Sequence, residues 1–204
     1  MQGISNVSKA VSTKTTHPIL SCIFIEAENG NIKLTANDME IGIESYVEGT
    51  VIEEGKVAIE AKLLSDIVRK LPDSEIHMET NEDFKTTIKC EKSLFTIAGK
   101  SGEDFSSLPV VEKSKYITIS QFTLREIINQ TIFSISDSEY NNVMTGELFE
   151  VSNNRLRVVA IDGHRIAIRN VELKDESQDV KVIVPGKALS YISKIVNGGV
   201  DDDV

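Results

Sequence analysis

The chain has 204 residues, of which 40% are hydrophobic and 26% are charged, a composition typical of a globular protein with one or two domains. No apolar run approaches the length that crosses a membrane. A net charge of −10 disfavours a nucleic-acid partner, unless the positive charges are gathered on one surface.

A long internal repeat divides the chain into two copies. Residues 20–38 align without a gap with residues 144–162, a shift of 124 residues. Residues 57–67 align with residues 182–192 at a shift of 125. Because this period has the size of a domain, it indicates duplication of a whole module rather than a short solenoid repeat.

The first copy mixes helices and strands. Its predicted elements, in chain order, are a short amphipathic helix at 4–11, a hairpin of strands 19–27 and 31–36 turning at Asn29-Gly30, strands at 40–47 and 57–59, a helix at 63–71 stopped by Pro72, and strands at 75–80, 84–90 and 94–98. Residues 102–115 have mixed charge and no periodicity, which predicts a connector between domains.

The second copy follows the same order. Its predicted elements are a strand at 116–120, a helix at 122–133 with Ser120 as N-cap, a hairpin turning at Asn153-Asn154, a strand at 164–171, an acidic loop at 172–179, a strand at 182–185, and a helix at 187–196 ended by Asn197-Gly198-Gly199. The short connections favour antiparallel sheets. The sequence therefore predicts an α+β fold in which each module has an antiparallel sheet with two amphipathic helices on one face.

The repeat also predicts where the two modules begin and end. We expect module one to span residues 1–114 and module two to span residues 115–204. By alignment with each other, the first copy lacks an opening strand and the second lacks its last ~40 residues. We therefore expect the chain to be an internal fragment of a longer protein.

Positive charge is concentrated in the predicted helices. The four windows 3–12, 62–71, 121–134 and 187–196 hold seven basic and two acidic residues, against 15 basic and 30 acidic residues elsewhere. This distribution suits a protein that presents one basic face to phosphates and repels nucleic acid elsewhere. The alternative is that Lys and Arg, which are good helix formers, simply cover a solvated face.

The sequence gives little support for a catalytic function. The histidines His17, His77 and His164 have no metal-ligand spacing, and no cofactor is expected. Residues 201–203 are three aspartates that resemble a magnesium site, although a solvated loop is the favoured explanation. Cys22 and Cys90 are expected to be buried thiols in a reducing cytoplasm, with a disulfide as the alternative.

The most distinctive local string is residues 160–168, Ala-Ile-Asp-Gly-His-Arg-Ile-Ala-Ile. Asp162-Gly163 can form a tight turn with Arg165 beside it. Three interpretations stay open. The turn could be structural, it could place His164 as a base oriented by Asp162, or it could border a groove for a partner peptide.

The chain resembles the bacterial DNA polymerase III β subunit, the sliding clamp. The resemblance runs essentially end to end and rests on residues 16–20, 63–72, 133–134, 146–150, 160–165, 182–185 and 197–199. It implies tandem DNA-clamp modules, a third module absent from this chain, and a homodimeric ring with helices lining the hole. It also implies a cytoplasmic, non-catalytic processivity factor, although family association could attach the label DNA-directed DNA polymerase or nucleotidyltransferase.

The resemblance implies, position by position, which residues of this chain are functional. It implies contacts with double-stranded DNA at Lys14, Arg69, Lys187 and Lys194, to which the helix charges add Lys9, Lys70 and Arg125. It implies a partner-peptide pocket at Met144, Ile161, Gly163, His164, Arg165 and Ile166, and a subunit interface at Phe95 and Ile97. Two positions depart from the family pattern. Ile161 stands where a threonine is common, and residues 141–143 lack basic or aromatic side chains for DNA.

The implied partners are non-specific duplex DNA, the polymerase III α subunit, the clamp loader and other proteins with clamp-binding motifs. No membrane and no metal are expected. The alternatives are an enzyme that uses residues 201–203, and a monomeric peptide-binding module that never encircles DNA.

Overall fold

The structure is a computed structural model that describes residues 1–12, 15–112, 114, 116–137, 143–175, 177–196, 198–199 and 202–204. These residues divide into two compact units, Met1–Pro109 and Val110–Val204. Each unit has its own sheet and its own hydrophobic core. We refer to them below as module one and module two.

Module one is built on one antiparallel sheet. Its strands are β1 (Cys22–Glu28), β2 (Asn31–Asn37), β3 (Gly42–Val47), β4 (Gly55–Glu60), β5 (His77–Thr80), β6 (Lys85–Cys90) and β7 (Ser93–Lys100), in the spatial order β3-β2-β1-β4-β7-β6-β5. Its helices are α1 (Gln2–Val7), continued by a 3₁₀ turn at Ser8–Ala10, and α2 (Ala61–Lys70). A further 3₁₀ turn, Pro18–Ser21, precedes β1, so this strand begins later than its predicted start at residue 19.

The tight turn between β1 and β2 sets the register of the sheet. Asn29 and Gly30 have φ values of 51° and 74°, the left-handed conformation that a two-residue hairpin turn requires. The turn pairs Ile25 with Leu34, and both side chains belong to the core on the helix side. A slip of one residue would turn these apolar side chains to the opposite face.

The helices of module one cover one face of its sheet. Leu64 and Ile67 of α2 are buried against the same core as Ile23 and Ile59 of the sheet, and Val7 of α1 joins them. Burying each of these side chains contributes about 1.5–3 kcal/mol. The arrangement leaves the opposite sides of α1 and α2 for polar and charged residues.

The opposite face of this sheet is covered in part by the segment after β7. Phe105 stacks on Phe24 with ring centroids 4.9 Å apart, and both rings are buried. Leu108 packs so closely on Gly42 that an added Cβ would lie 2.2 Å from its Cδ2. The start of the predicted connector is therefore part of module one.

The described part of module two repeats the plan with a sheet of four strands. Its elements are α3 (Gln121–Thr131), a 3₁₀ turn (Ile132–Ser134), β8 (Gly146–Ser152), β9 (Arg155–Ile161), β10 (Ile166–Glu172), β11 (Val180–Pro185) and α4 (Gly186–Ile195), and the antiparallel sheet has the order β10-β9-β8-β11. Ser120 caps α3, as predicted, because the Thr123 N–H donates to its hydroxyl at 3.2 Å. Leu189 of α4 and Ile127 and Ile128 of α3 are buried against one face of the sheet.

The predicted fold class is confirmed, since each module has an antiparallel sheet with two helices packed on one face. The predicted strand at 116–120 is wrong. Its described residues make only an isolated bridge from Ser120 to Asp203, flanked by a pair of bonds between Ile119 and Val204, so no ladder forms. Asn197, predicted to cap α4, lies outside the described residues, and Gly198 beyond it has φ of 58°.

Both cysteines are buried free thiols, as expected. Burial raises the pKa of the Cys22 thiol, which keeps it protonated and unreactive.

A polar pair occupies the centre of the module two core. Thr131 and Glu147 are fully buried, and at a shift of 124 residues they correspond to the equally buried Val7 and Ile23 of module one. Thr131 Oγ1 lies 2.9 Å from Glu147 Oε1 and 2.7 Å from the Ile127 carbonyl oxygen. A hydroxyl has one proton for these two acceptors, so a protonated Glu147 can supply the second.

Burial raises the pKa of Glu147 to about 7, while the bond from Thr131 opposes the shift. Its Oε2 atom has no hydrogen-bond partner among the described residues, which adds to the cost of ionisation. The carboxyl is therefore neutral in the folded module below neutral pH.

We predict that Glu147→Gln removes a pH dependence of stability. In the wild type Glu147 ionises near pH 4.5 in the unfolded chain and near pH 7 in the folded chain, so its contribution to stability is largest below pH 4.5 and falls as pH rises to 7. The decrease amounts to about 3 kcal/mol. Urea unfolding across this range should show the free energy of unfolding of the variant rising relative to that of the wild type up to pH 7. Above pH 7 the difference should stay constant.

The control for removing one carboxylate is Glu82→Gln, on an exposed turn of module one. A stability difference between Glu147→Gln and the wild type that does not change with pH would contradict the buried, neutral assignment.

Candidate nucleic-acid and peptide interfaces

The second helix of each module carries a pair of exposed basic residues. On α2 the apolar side is buried through Leu64, and Lys62 and Arg69 are on the exposed side. On α4, Lys187 and Lys194 are likewise exposed. Each pair is seven residues apart, which puts its two members on the same side of the helix.

These two pairs occupy equivalent positions of the repeat. At the shift of 125 residues, Lys62 corresponds to Lys187 and Arg69 corresponds to Lys194. The sequence analysis included Lys62 in a basic window but not among the DNA-binding candidates, and the alignment of the two copies is the signal that would have added it. Arg69 also lies 3.8 Å from Asp66 in the same helix, which offsets part of its charge.

The other predicted DNA contacts have more varied settings. Lys70 is exposed, whereas Lys9 is half-buried and donates to the Ser5 carbonyl oxygen at 3.1 Å. Arg125 is half-buried with its guanidinium 6.0 Å from the centre of the Phe122 ring. Lys14 and the loop residues 141–142 lie outside the described residues.

Several basic residues on the sheets are paired with carboxylates. In module one, Glu26 lies 2.7 Å from Lys33 and 3.5 Å from Lys56, the residues opposite it on the two neighbouring strands. In module two, Glu150 lies 3.3 Å from Lys181. Both copies thus have a carboxylate on the sheet that offsets the charge of neighbouring lysines.

The turn between β9 and β10 is organised by Asp162. Its Oδ1 accepts hydrogen bonds from the backbone N–H groups of His164 and Arg165, both at 3.0 Å, and its Oδ2 lies 2.7 Å from Arg165 Nε. The bond from the His164 N–H, followed by those from Arg165, lowers the pKa of Asp162, so the carboxylate is charged at neutral pH. Asp162 therefore orients Arg165 and does not pair with the His164 imidazole.

Module one has the same turn with different side chains. Asp38 Oδ1 accepts from the N–H groups of Glu40 and Ile41 at 3.0 and 2.8 Å. The residue after the aspartate has positive φ in both copies, 76° at Met39 and 92° at Gly163. Duplication therefore kept the backbone of the turn, and the Gly-His-Arg-Ile side chains are particular to module two.

Five of the six predicted pocket residues, all except Met144, lie in or directly beside this turn. Ile161 and Ile166 are paired across β9 and β10 and are 38% and 58% exposed. Gly163 has open space where a Cβ would stand, and His164 and Arg165 are exposed. Met144 is half-buried two residues before β8, the strand that pairs with β9.

An apolar row next to the turn was missed by the sequence analysis. The strand registers align Ile168, Val159, Leu148 and Ile183 across the four strands of the module two sheet, on the face opposite the helices. Ile168 and Ile183 are 42% and 40% exposed. The alternation of side chains between the two faces of β10 is the signal that would have predicted Ile168 on this face. The row across the four strands depends on how the strands are aligned with one another.

The predicted subunit-interface residues differ from each other in exposure. Ile97 is 8% exposed and belongs to the core of module one, whereas Phe95 is 36% exposed. Leu94 beside it is 65% exposed. Successive residues of a strand point to opposite faces of the sheet, so Phe95 lies on the same face as Ile97 and Leu94 lies on the other.

Among the described residues, no group of three or more His, Cys, Asp or Glu side chains is arranged to hold a metal ion. Asp202 accepts from the Gln121 N–H through its carbonyl oxygen, and Asp203 lies 3.9 Å from Lys174. Asp201 lies outside the described residues. No helix in the described part of the chain is long and apolar enough to cross a membrane.

Both modules match domains of a known protein family. Residues 1–109 match the N-terminal domain of the DNA polymerase III beta subunit, and residues 118–203 match its central domain. The chain belongs to the DNA polymerase III beta subunit family. The first match ends at the boundary between the two compact units.

Individual relatives agree with this family membership. The chain is 38% identical to the "Beta sliding clamp" of Halalkalibacterium halodurans over 97% of its length and 55% of the relative's. A putative beta subunit from Eubacterium rectale has a similar structure, with a TM-score of 0.96 and 56% identity over all of this chain and 56% of that one. The Bacillus subtilis sliding clamp has a TM-score of 0.91 and 32% identity, with 100% and 55% covered. The chain thus spans about half the length of these relatives.

We predict that Asp162→Ala and Asp162→Asn have different effects on the turn. Asparagine keeps an oxygen that can accept the two backbone N–H bonds, whereas alanine removes it. Amide hydrogen exchange at His164 and Arg165 should therefore accelerate strongly in Asp162→Ala and little in Asp162→Asn. The matched variant Asp38→Ala should have its effect on Glu40 and Ile41 instead. Equal protection of the amides in both Asp162 variants would reject the role assigned to the carboxylate.

Proposed function

We propose that the chain acts as part of a sliding clamp, a non-catalytic processivity factor that encircles duplex DNA and tethers the replicative polymerase. The observation that carries this proposal is the repeated placement of basic residues, Lys62 with Lys187 and Arg69 with Lys194, on exposed helix faces of a strongly acidic chain. Membership of the DNA polymerase III beta subunit family supports it.

In this proposal the helices contact phosphates and read no sequence. Lys and Arg side chains give salt-dependent, non-specific contacts, and the acidic remainder of the chain repels DNA. Weak contacts are sufficient because a closed ring holds DNA by its topology, and weak contacts also permit sliding. The proposed DNA-facing residues are Lys9, Lys14, Lys62, Arg69, Lys70, Arg125, Lys187 and Lys194.

The surface beside the β9–β10 turn is proposed to take short peptides from partner proteins. The exposed apolar side chains of Ile161 and Ile166 can receive apolar residues of a peptide, and Arg165 can bind its carbonyl or carboxylate oxygens. Met144, Gly163 and His164 complete the proposed pocket. The proposed partners are the polymerase III α subunit, the clamp loader and other proteins with clamp-binding motifs.

Assembly and location are also proposals. We propose residues 1–114 and 115–204 as two clamp modules of a cytoplasmic protein whose full-length form has a third module and closes into a homodimeric ring. The partly exposed Phe95 of β7 supports a subunit contact there, beside Ile97 on the same face of the strand.

We predict that reversing the helix charges weakens DNA binding. Lys62→Glu with Arg69→Glu, or Lys187→Glu with Lys194→Glu, should lower affinity for a labelled duplex at low salt. The slope of log affinity against log salt should fall by about 0.9 for each phosphate that the variant no longer neutralises. Fluorescence anisotropy over a salt series measures both quantities.

The matched control is Lys85→Glu with Lys89→Glu, which reverses two exposed charges on strand β6 of module one. This control should weaken binding much less than the helix variants do, because only the net charge changes. An equal decrease in affinity in the helix and strand variants would reject the helices as the DNA-facing surface.

We predict that the pocket variants Arg165→Ala and Ile166→Ala weaken binding of a synthetic peptide from the polymerase III α subunit tail. A decrease of about tenfold in affinity is expected for a residue at the centre of an interface. The control Arg169→Ala removes an arginine from the same strand, three residues beyond Ile166. Calorimetry gives the affinities, and unchanged binding in both pocket variants would count against the assigned surface.

The two titrations together separate the alternatives. Peptide binding without any DNA binding at low salt would favour the monomeric peptide-binding module. Nucleotide incorporation that disappears when Asp201, Asp202 and Asp203 become asparagine would favour an enzyme.

A further inference from the structure

Phe133 is an exposed aromatic ring whose position is fixed from both sides. It lies in the 3₁₀ turn after α3, between Ile132, which packs on the module two core, and Ser134, which is fully buried. With its neighbours held inward, the ring projects outward and is 57% exposed. A single exposed apolar side chain is common on protein surfaces, so a role for Phe133 depends on what lies against its ring.

The Arg165 guanidinium lies over this ring. Its Cζ atom is 5.8 Å from the centre of the Phe133 ring, within the range of a cation–π interaction. On its other side the Nε–H donates to Asp162 Oδ2 at 2.7 Å. The guanidinium is therefore contacted by the ring and by the carboxylate, and the two contacts together restrict its movement.

These two interactions leave the terminal NH₂ groups of Arg165 for a ligand. Within the described part of the chain, neither NH₂ group has a hydrogen-bond acceptor, because the one bond of the side chain uses Nε. A guanidinium presents its donors as a planar fork, so restricting its movement also limits the directions from which oxygen acceptors can be bound.

The arrangement is particular to module two. At the shift of 124 residues, Phe133 corresponds to Lys9 and Arg165 corresponds to Ile41. Module one keeps the aspartate-bonded turn at Asp38 but has neither the ring nor the guanidinium. The turn serves the fold in both modules, whereas the ring and the guanidinium occur together where the exposed apolar residues Ile161 and Ile166 lie.

We propose that Phe133 is a positioning residue of the peptide surface, and that it holds the Arg165 fork ready to bind a carbonyl or carboxylate oxygen of the partner peptide. This inference rests on the proposed peptide-binding function of the same surface. Preorganising a long side chain removes part of the entropy cost of binding, so removal of the ring should weaken binding through Arg165.

The test compares Phe133→Leu, Phe133→Trp and the wild type in binding the polymerase III α tail peptide. Leucine keeps an apolar side chain without the aromatic face, and we expect it to bind about two- to fivefold more weakly. Tryptophan offers a better face for a cation and should bind as well as the wild type. In an Arg165→Ala background, Phe133→Leu should have no further effect, since the ring then has no guanidinium to hold.

The matched control is Phe122→Leu, which removes another partly exposed ring that lies beneath an arginine of module two. Its peptide affinity should equal that of the wild type. Equal affinities of Phe133→Leu and the wild type would overturn the proposal. So would the same decrease from Phe133→Leu with and without Arg165.

A second readout does not depend on the peptide. The Nε–Hε NMR signal of Arg165 in the free protein should shift in Phe133→Leu, because the ring current is removed, and should stay in place in Phe122→Leu. An unshifted signal in Phe133→Leu would overturn the positioning role. Failure of the wild type to bind the peptide, with the signal shifted as expected, would instead reject the peptide-binding function and with it the role in binding.

Discussion

The register of one hairpin in each module determines where every functional side chain can lie. Two residues with positive φ, Asn29-Gly30 and Asn153-Asn154, close these hairpins and fix which face of each strand is apolar. The helices must then pack on that face, since it carries the residues that gain most from burial. Their basic residues are left on the side away from the sheet, and the carboxylate ladders at Glu26 and Glu150 occupy the sheet's other face.

Duplication produced two copies of this arrangement of sheet and helices, and the copies then diverged at a few side chains. The aspartate turn is the same at Asp38 and Asp162. In module one the sheet face beside it is covered by the chain's own Phe105, which stacks on Phe24. In module two the corresponding row through Leu148 and Val159 is bordered by exposed isoleucines and by Arg165. The two copies thus share the aspartate turn and differ in the side chains beside it, with Ile41 in module one where module two has Arg165.

Much of this could be predicted because it depends on local pattern. The hairpins, the α2 helix and the Ser120 cap follow from turn residues, apolar spacing and a hydroxyl before a helix. The features that could not be predicted depend on contacts across the fold. Residues 116–120 alternate like a strand, but within the described residues they form one isolated bridge, from Ser120 to Asp203. Glu147 occupies the position that corresponds to the buried Ile23 of module one. Phe133 contacts Arg165 because the 3₁₀ turn that carries it packs beside β9 and β10.

We propose that one repeated arrangement of sheet and helices separates a basic helix surface for DNA from a turn surface for peptides. It is tested most directly by following backbone amide NMR signals of this chain during titration with duplex DNA and, separately, with the polymerase III α tail peptide. DNA should shift signals on α2 and α4, near Lys62, Arg69, Lys187 and Lys194, and the peptide should shift Gly163–Ile166. DNA shifts confined to the sheet strands, or the same residues responding to both ligands, would contradict the account.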